Sequence, residues 1–282
     1  MADDAFDFKL YRYDPSMPAA IIFTILFLLI TAIHLYQVIR TKTMIFIPFV
    51  IGGLFQVIGY IGRAKSSAET PNWQIPTYSV QTILLLVAPA LYAASIYMIL
   101  GRIILLTEGE VHSIIKQKWL TKIFVIGDIV SFIMQGGGGG IMASGSISAM
   151  KTGEHIIIGG LVVQLLFFGC FMVTSAVFHV RMCNQPTSAV LTRSVPWERQ
   201  IYALYGSSLL ILIRSVFRLI EYAQGNNGYL ISHEAFLYIF DATLMLATMV
   251  LSAWIHPSEI TGLLRKGNGK AVHHMVSVYS LR

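Results

Sequence analysis

The chain has 282 residues, of which 55% are hydrophobic and only 12% are charged, and its mean hydropathy is +0.68. Because an ordinary soluble domain carries about 25% charged residues, this composition argues against a soluble protein and indicates that lipid is the main solvent. The formal net charge of +6 comes from basic residues scattered between apolar runs, so no nucleic-acid partner is expected. Two cysteines cannot form the disulfide framework of a small secreted domain.

Seven apolar runs are long enough to cross a bilayer, whose hydrocarbon core of about 30 Å needs about 20 helical residues. Acidic residues precede the first run, whereas a cleavable signal peptide would begin with basic ones, so this run is expected to stay as a helix. The predicted spans are 18–39, 44–62, 79–106, 120–142, 156–180, 200–221 and 235–255. We therefore predict an all-α, polytopic membrane protein with a bundle of seven transmembrane helices.

Loop charges predict the orientation of the chain, because Lys and Arg are enriched in cytosolic loops. One side of the predicted bundle holds 13 basic residues and the other side holds 5. This asymmetry places the C-terminus in the cytosol, and the odd number of spans then places the N-terminus outside it. The predicted division is an extracytosolic tail (1–17), a transmembrane domain (18–256) and a basic cytosolic tail (257–282). The plasma membrane is the expected location, with an internal membrane as the alternative.

Polar and small residues in the first three spans indicate the faces that turn inward. His34 in the first span is interpreted as a satisfied interior or boundary histidine. Pro89 is expected to kink the third span, because proline removes a helical hydrogen bond and clashes with the preceding turn. One face of the second span carries a row of small and polar residues, namely Gly52, Gln56, Gly59 and Arg63.

The fourth span combines a polar face with a run of five glycines. The polar face consists of Asp128, Ser131 and Gln135, and the glycines are Gly136, Gly137, Gly138, Gly139 and Gly140. Each glycine costs about 1 kcal/mol of helix stability relative to alanine. Two interpretations stay open. The run is either a surface for close helix packing, for which the GxxxG pair Gly136 and Gly140 would suffice, or a hinge that unwinds against protein or a water-filled cavity.

Ionisable side chains share single faces of the last two spans, where each needs a partner or a watery cavity. They are Arg214, Arg218 and Glu221 in the sixth span, and Glu234, Tyr238 and Asp241 in the seventh. Arg214 and Asp241 both lie about 10 Å below the outer boundary, at 1.5 Å per residue. We therefore predict an Arg214–Asp241 ion pair, with Arg218 held by Glu221 or Glu234. These pairs either lock the helices together or form a headgroup-binding or gating site.

Several classes of protein are argued against by motifs that the sequence lacks. It contains no GxxxxGK[ST], HExxH or GxSxG motif, so neither a P-loop ATPase nor a common hydrolase is indicated. The seventh span contains no lysine that could carry retinal. The histidines form no cluster of the three or four ligands that a zinc site requires. We therefore predict no catalytic residue, no metal site and no cofactor.

Four groups of residues together resemble the fungal lipid-translocating exporter family, also called the RTA-like or resistance-to-aminocholesterol family. They are residues 81–102, residues 128–140, residues 214–222, and the group Glu234, Tyr238, Asp241 and His256-Pro257. The resemblance runs from the second span to the end of the seventh. It implies a seven-helix protein of fungal membranes, in a family linked to export of sphingoid long-chain bases, resistance to toxic amphiphiles and porphyrin uptake.

The resemblance implies transbilayer transport or export of an amphipathic lipid, such as a sphingoid long-chain base, with resistance to toxic amphiphiles as a result. Membrane lipids and an amphipathic small molecule are the expected partners. Acidic side chains could receive the amine of the base while the helices accommodate its tail. A lipid- or sterol-responsive receptor, a membrane-embedded lipid enzyme and a structural protein stay open as alternatives. The candidate binding residues are Asp128, Gln135, Arg214, Arg218, Glu221, Glu234, Tyr238 and Asp241.

Overall fold

Seven long helices make up most of the described chain. The computed structural model describes residues 11–142, 147–192, 197–225 and 228–264. Across those residues it contains no β-strand, and seven helices are long and apolar enough to cross a membrane. The predicted all-α fold with seven spans is therefore confirmed. The helices are α1 (Met17–Thr41), α2 (Ile47–Ala68), α3 (Ile75–Leu106), α4 (Gln117–Met142), α5 (Ile147–Asn184), α6 (Trp197–Ala223) and α7 (Glu234–Trp254).

The bounds of α5 and the geometry of α7 differ from the prediction. Helix α5 begins at Ile147 rather than at residue 156, so Glu154 lies in a helix and not in a loop. Helix α7 contains a π-helical stretch, Tyr238–Ala242, which a hydrophobic pattern does not reveal. Within that stretch the backbone is wider than an α-helix, and Thr243 Oγ1 donates to the carbonyl oxygen of Tyr238 at 2.8 Å.

Local sequence explains where the first three helices begin. Pro18, Pro48 and Pro76 each lie in the first turn of a helix, where the missing N–H of proline has no helical partner to lose. Ser16 caps α1, because its hydroxyl oxygen accepts a hydrogen bond from the backbone N–H of Ala19. Ser16, Pro18 and Pro76 lie at the end of the bundle that holds the site described below, whereas Pro48 lies at the opposite end.

Helix α3 lies at the centre of the bundle, and α1 and α5 lie at its edge. The α3 span is 61% buried inside the protein, compared with 28% for α1 and for α5. Helix α3 packs against α2, α4 and α6, α1 packs against α2 and α7, and α5 packs against α4 and α6. The outer face of α1 exposes large apolar residues such as Ile22, Leu29 and Ile39. Apolar surface of this extent is typical of a membrane-contacting face.

Two aromatic clusters fill the interior around α3. Phe49 of α2 lies 4.5 Å from Tyr92 of α3 between ring centroids. Further along α3, the ring of Tyr97 lies 5.4 Å from that of Phe124 in α4 and 4.6 Å from that of Phe171 in α5. All five rings are buried, so these contacts fix α2, α4 and α5 around α3.

Two residues singled out in the first and third spans lie in the interior. His34 is fully buried, and its Nε2 lies 2.9 Å from the carbonyl oxygen of Met249. The interior location is confirmed, and one ring nitrogen is hydrogen-bonded, whereas Nδ1 of His34 has no partner among the described residues. Pro89 lies within α3, which continues from Ile75 to Leu106, and its kink stays a prediction.

The glycine run of α4 packs through one glycine only. The run remains α-helical up to Met142, so the helix does not unwind there in this structure. A Cβ atom at Gly138 would lie 2.6 Å from the carbonyl oxygen of Gly153 in α5, whereas Gly136 and Gly140 have nothing within 4 Å of that position. Within this chain the close packing is thus made by Gly138 and not by the GxxxG pair, and Gly137 and Gly139 also have no described atom within 4 Å. The hinge stays a prediction.

The chain stays packed beyond the end of α7. Residues 258–264 are helical, and Ile260 among them is fully buried. Gln200 at the start of α6 donates to the carbonyl oxygen of His256 at 3.2 Å. The predicted tail of residues 257–282 thus begins with a helical segment that packs on the bundle, which its polar composition did not indicate. The basic residues of that tail lie outside the described residues.

Candidate functional site

A cavity of about 300 Å³ lies at the end of the bundle where α1 begins. Its walls come from α2, α3, α6 and α7, from the end of α4 and the beginning of α5, from the segment between α6 and α7, and from the chain before α1. One part of the lining is apolar and includes Leu85, Leu86, Ile157 and Leu237. The other part carries charged side chains, namely Arg12, Arg63, Glu154, Arg214, Arg218, Glu221 and Asp241.

Arg214 and Asp241 form a buried, two-point ion pair between α6 and α7. Arg214 Nε donates to Oδ1 of Asp241 at 2.6 Å, and Nη2 donates to Oδ2 at 3.1 Å. Nη2 also donates to the carbonyl oxygen of Leu85 in α3 at 3.1 Å. The two side chains are only 5% and 6% exposed. The predicted pair is therefore confirmed, and it joins three helices at the floor of the cavity.

Arg218 pairs with Glu221 on the same helix, which confirms the first of the two predicted partners. Arg218 Nη1 donates to Oε2 of Glu221 at 2.6 Å, a distance typical of a charge-assisted hydrogen bond. Its guanidinium lies 5.1 Å from the ring centroid of Tyr222. The remaining Nε–H of Arg218 has no partner among the described residues.

Glu234 pairs with Arg63 of α2, a contact that the sequence did not reveal. Arg63 Nη2 lies 2.9 Å from Oε1 of Glu234, and Arg63 is 1% exposed. The same guanidinium donates to the hydroxyl oxygens of Tyr13 at 2.6 Å and Tyr238 at 3.2 Å. Glu234 also accepts the backbone N–H of Ser16 at 2.8 Å. This network ties the start of α7 to α2 and to the N-terminal segment.

The described part of the predicted N-terminal tail is docked on the bundle and closes one side of the cavity. The ring of Tyr11 lies edge-on to Trp73 at 5.3 Å and to Tyr78 at 5.2 Å. Ser67 donates to the carbonyl oxygen of Pro15 at 2.5 Å. Burial raises the pKa of the Tyr13 hydroxyl, and the neighbouring Arg63 guanidinium opposes that effect, so Tyr13 stays a neutral acceptor for Arg63.

Asp128 and Gln135 lie apart from the cavity, at the contact between α4 and α5. Gln135 Nε2 donates to Ser131 Oγ at 2.7 Å, and Ser131 in turn donates to the carbonyl oxygen of Gly160 at 2.7 Å. Asp128 is buried and faces the hydroxyl of Tyr97 in α3, and neither carboxyl oxygen accepts a well-formed hydrogen bond from the residues that the structure describes. The predicted set of site residues is thus divided between two places. Gly139 is the member of the glycine run that reaches the cavity.

The structure adds two charged lining residues that sequence reasoning did not select, Arg12 and Glu154. The carboxylate of Glu154 makes no ion pair with any described residue, and it lies beside Gly225, where a Cβ atom would be 3.0 Å from Oε1. Gly225 has φ of +70°, a conformation that glycine adopts without strain. Because Glu154 lay in a predicted loop, no intramembrane charge signal was available for it.

The combination of these walls suits an amphiphile more than a purely polar ligand. The charged side offers carboxylates and guanidinium groups to a headgroup, while the leucines and Ile157 offer a surface to the beginning of an alkyl chain. Among the described residues, no group of three or more His, Cys, Asp or Glu side chains is arranged to hold a metal ion.

Comparison with known proteins identifies relatives over nearly the whole chain. Residues 49–263 match the family described as RTA1 like protein. The protoporphyrin uptake protein 1 of Saccharomyces cerevisiae is 37% identical, over 86% of this chain and 90% of its own. The probable lipid transporter atnI of Emericella nidulans is 31% identical, over 89% and 68% respectively. The sphingoid long-chain base transporter RSB1 of S. cerevisiae is 24% identical, over 92% and 75%. No solved structure matches the chain.

Proposed function

Since the chain belongs to the RTA1-like protein family, we propose that it moves an amphipathic lipid from one leaflet of its membrane to the other. The cavity between α2, α3, α6 and α7 is the proposed headgroup site, and its mixed lining is the observation that carries the proposal. The names of the lipid transporter and sphingoid base transporter relatives support the same class of substrate. The name of the porphyrin relative adds that family members handle more than one amphiphile.

We propose a sphingoid long-chain base as substrate, with Glu154 as the receiver of its amine. Such a base carries an ammonium group and hydroxyl groups on a long alkyl chain. Glu221 and Asp241 are each held by an arginine, and Asp128 lies away from the cavity. Glu154 is the lining carboxylate without a basic partner among the described residues. An ammonium group there would neutralise it, while the substrate chain follows the apolar wall.

The test is movement of a fluorescent sphingoid base in liposomes that contain the pure protein, followed with a membrane-impermeant quencher. The variant is Glu154→Gln, which removes the charge and keeps the shape. Glu198→Gln is the matched control, because Glu198 is exposed in the first turn of α6 at the opposite end of the bundle. Loss of one hydrogen bond between charged groups, which contributes about 1.5–3 kcal/mol, should slow movement by about tenfold or more in Glu154→Gln, and the control should match wild type.

Three other results would change the proposal. Movement in Glu154→Gln at the wild-type rate would remove Glu154 as the amine receiver. The same loss in Glu198→Gln would show that the effect is not local to the cavity. Saturable lipid binding by wild type without any movement would support the alternative of a lipid-responsive receptor. Export from the plasma membrane, with resistance to toxic amphiphiles as its consequence, is the physiological role we propose for the transporter.

A further inference from the structure

Asp128 carries a buried carboxyl group that the cavity does not use. The residue lies in α4, is 6% exposed, and neither carboxyl oxygen accepts a well-formed hydrogen bond from any described residue. Three other carboxylates of the bundle, those of Glu221, Asp241 and Glu234, each contact an arginine. Asp128 thus differs from them in having no cation beside it.

The groups around Asp128 are neutral on every side that packs against it. From α3, the hydroxyl of Tyr97 faces the carboxyl group within reach of a hydrogen bond to it, and it has no other partner among the described residues. Phe124, one turn away on α4, contacts the ring of Tyr97. On the α5 side, Ser131 and Gln135 of the same α4 face donate hydrogen bonds to α5. Their acceptors are the carbonyl oxygen of Gly160 and the side-chain amide oxygen of Gln164. Tyr97 is therefore the only titratable group that faces Asp128 among the described residues.

A lone carboxylate in such surroundings is costly, because an unpaired buried ion loses several kcal/mol of solvation that no partner returns. A protonated carboxyl group avoids that cost, and its O–H can donate to the hydroxyl oxygen of Tyr97. The contacts of Asp128 therefore fit the neutral acid better than the ion in this arrangement of α3, α4 and α5.

We propose that Asp128 is a proton-binding site whose proton is exchanged when the protein moves lipid. The coupling part of this inference rests on the proposed transport function. Asp128 holds the proton while α3, α4 and α5 are packed as in this structure, and it releases the proton when movement of α4 admits water. Helix α4 can link the two places, because Gly139 and Met142 at its end line the cavity. They lie about 16 Å or more along the helix from Asp128, at 1.5 Å per residue.

The binding site itself is tested by infrared spectroscopy of the full-length protein in lipid vesicles. A protonated carboxyl group has a carbonyl stretch that is separate from the stretches of a carboxylate. We expect such a band in wild type, its loss in Asp128→Asn, and a shifted band in Tyr97→Phe, which keeps the acid and removes the facing hydroxyl. The Tyr97→Phe result stands even if Asp128→Asn does not fold. A wild-type spectrum in which neither substitution changes a carboxyl band would overturn the proposal.

The coupling is tested in proteoliposomes with an entrapped pH indicator and a fluorescent sphingoid base added outside. Wild type should show lipid movement accompanied by a proton flux, and Asp128→Asn should lose that flux. Asp128→Asn should also lose any dependence of lipid movement on a proton gradient. Lipid movement by wild type without proton flux would refute the coupling while leaving transport established. If wild type moves no lipid, the proposed function and the coupling both fail, and the infrared result alone decides the proton site.

Discussion

At the scale of single residues, Arg214 and Asp241 are the clearest test of what the ion pairs contribute. Removing one partner of a buried pair leaves an uncompensated charge, whereas replacing both with apolar residues does not. We expect Arg214→Met and Asp241→Leu each to lower the free energy of unfolding by about 3–5 kcal/mol, and the double variant to recover most of that loss. The measurement is denaturant unfolding in detergent micelles, arranged as a double-mutant cycle.

The control for that cycle is the pair between Lys65 and Glu69, at 3.6 Å, in which Lys65 is 63% exposed. Because exposed pairs contribute about 0–1 kcal/mol, Lys65→Met should change stability little. A double variant of Arg214 and Asp241 that is no more stable than the single variants would contradict a simple paired interaction.

The same residues show how far sequence reasoning about the site could go. The pair between Arg214 and Asp241 could be predicted from the sequence, because the two residues lie at equal depth on consecutive helices. That depth follows from counting residues along each helix. Arg63 and Glu234 are 171 positions apart on helices that are not consecutive, so no counting rule brings them together. Their contact depends on α2 and α7 approaching the N-terminal segment, which only the folded bundle specifies.

At the scale of helices, the glycine run packs α4 closely against α5 at Gly138, while the other glycines of the run have no close neighbours. Gly138→Ala would place Cβ 2.6 Å from the backbone oxygen of Gly153 and 2.8 Å from Cγ1 of Ile157. Since a backbone atom cannot move aside cheaply, we expect this variant to lower the thermal midpoint in detergent. Gly137→Ala meets nothing within 4 Å and should raise stability by about 1 kcal/mol.

Equal thermal midpoints for these two alanine variants would contradict the assignment of the contact to Gly138. Transport by Gly137→Ala bears on the hinge alternative that was predicted for the run. A variant that is more stable but moves lipid more slowly would support a helix that bends there during the cycle, because alanine stiffens the same turn without touching a neighbour.

Apolar runs predict the presence of helices well, but they do not reveal where a helix begins early or where its geometry is not α-helical. The seven spans follow from length and composition, because lipid requires each segment to satisfy its own backbone hydrogen bonds. The π-helical stretch Tyr238–Ala242 and the early start of α5 at Ile147 do not follow. Both lie in segments that contribute lining residues to the cavity, Asp241 from the π-helical stretch and Glu154 from the start of α5.

At the scale of the whole molecule, the orientation in the membrane is the prediction with the widest consequences. If the chain has the orientation that the loop charges predict, the cavity opens away from the cytosol. Starting from a variant in which Cys170 and Cys183 are replaced by alanine, we expect Tyr229→Cys to react with an impermeant maleimide at the extracytosolic face of sealed vesicles. We expect Val111→Cys, in the loop after α3, to react only after permeabilisation.

Both positions suit this labelling because Val111 is 88% exposed and Tyr229 is 64% exposed. The cysteine-free parent is the control for labelling of lipid or of other proteins. The reverse pattern, with Val111→Cys labelled first, would place the cavity on the cytosolic side. It would then indicate that substrate enters the cavity from the cytosolic leaflet.

The docking of the N-terminal segment onto α7 also has a consequence for biosynthesis. Ser16 and its partner Glu234 are separated by 218 positions, so the ribosome makes the partner only after six spans have been completed. The first described residues to be synthesised are therefore among the last to reach their final contacts. The N-terminal segment can therefore close the cavity only after every helix of the bundle has been inserted.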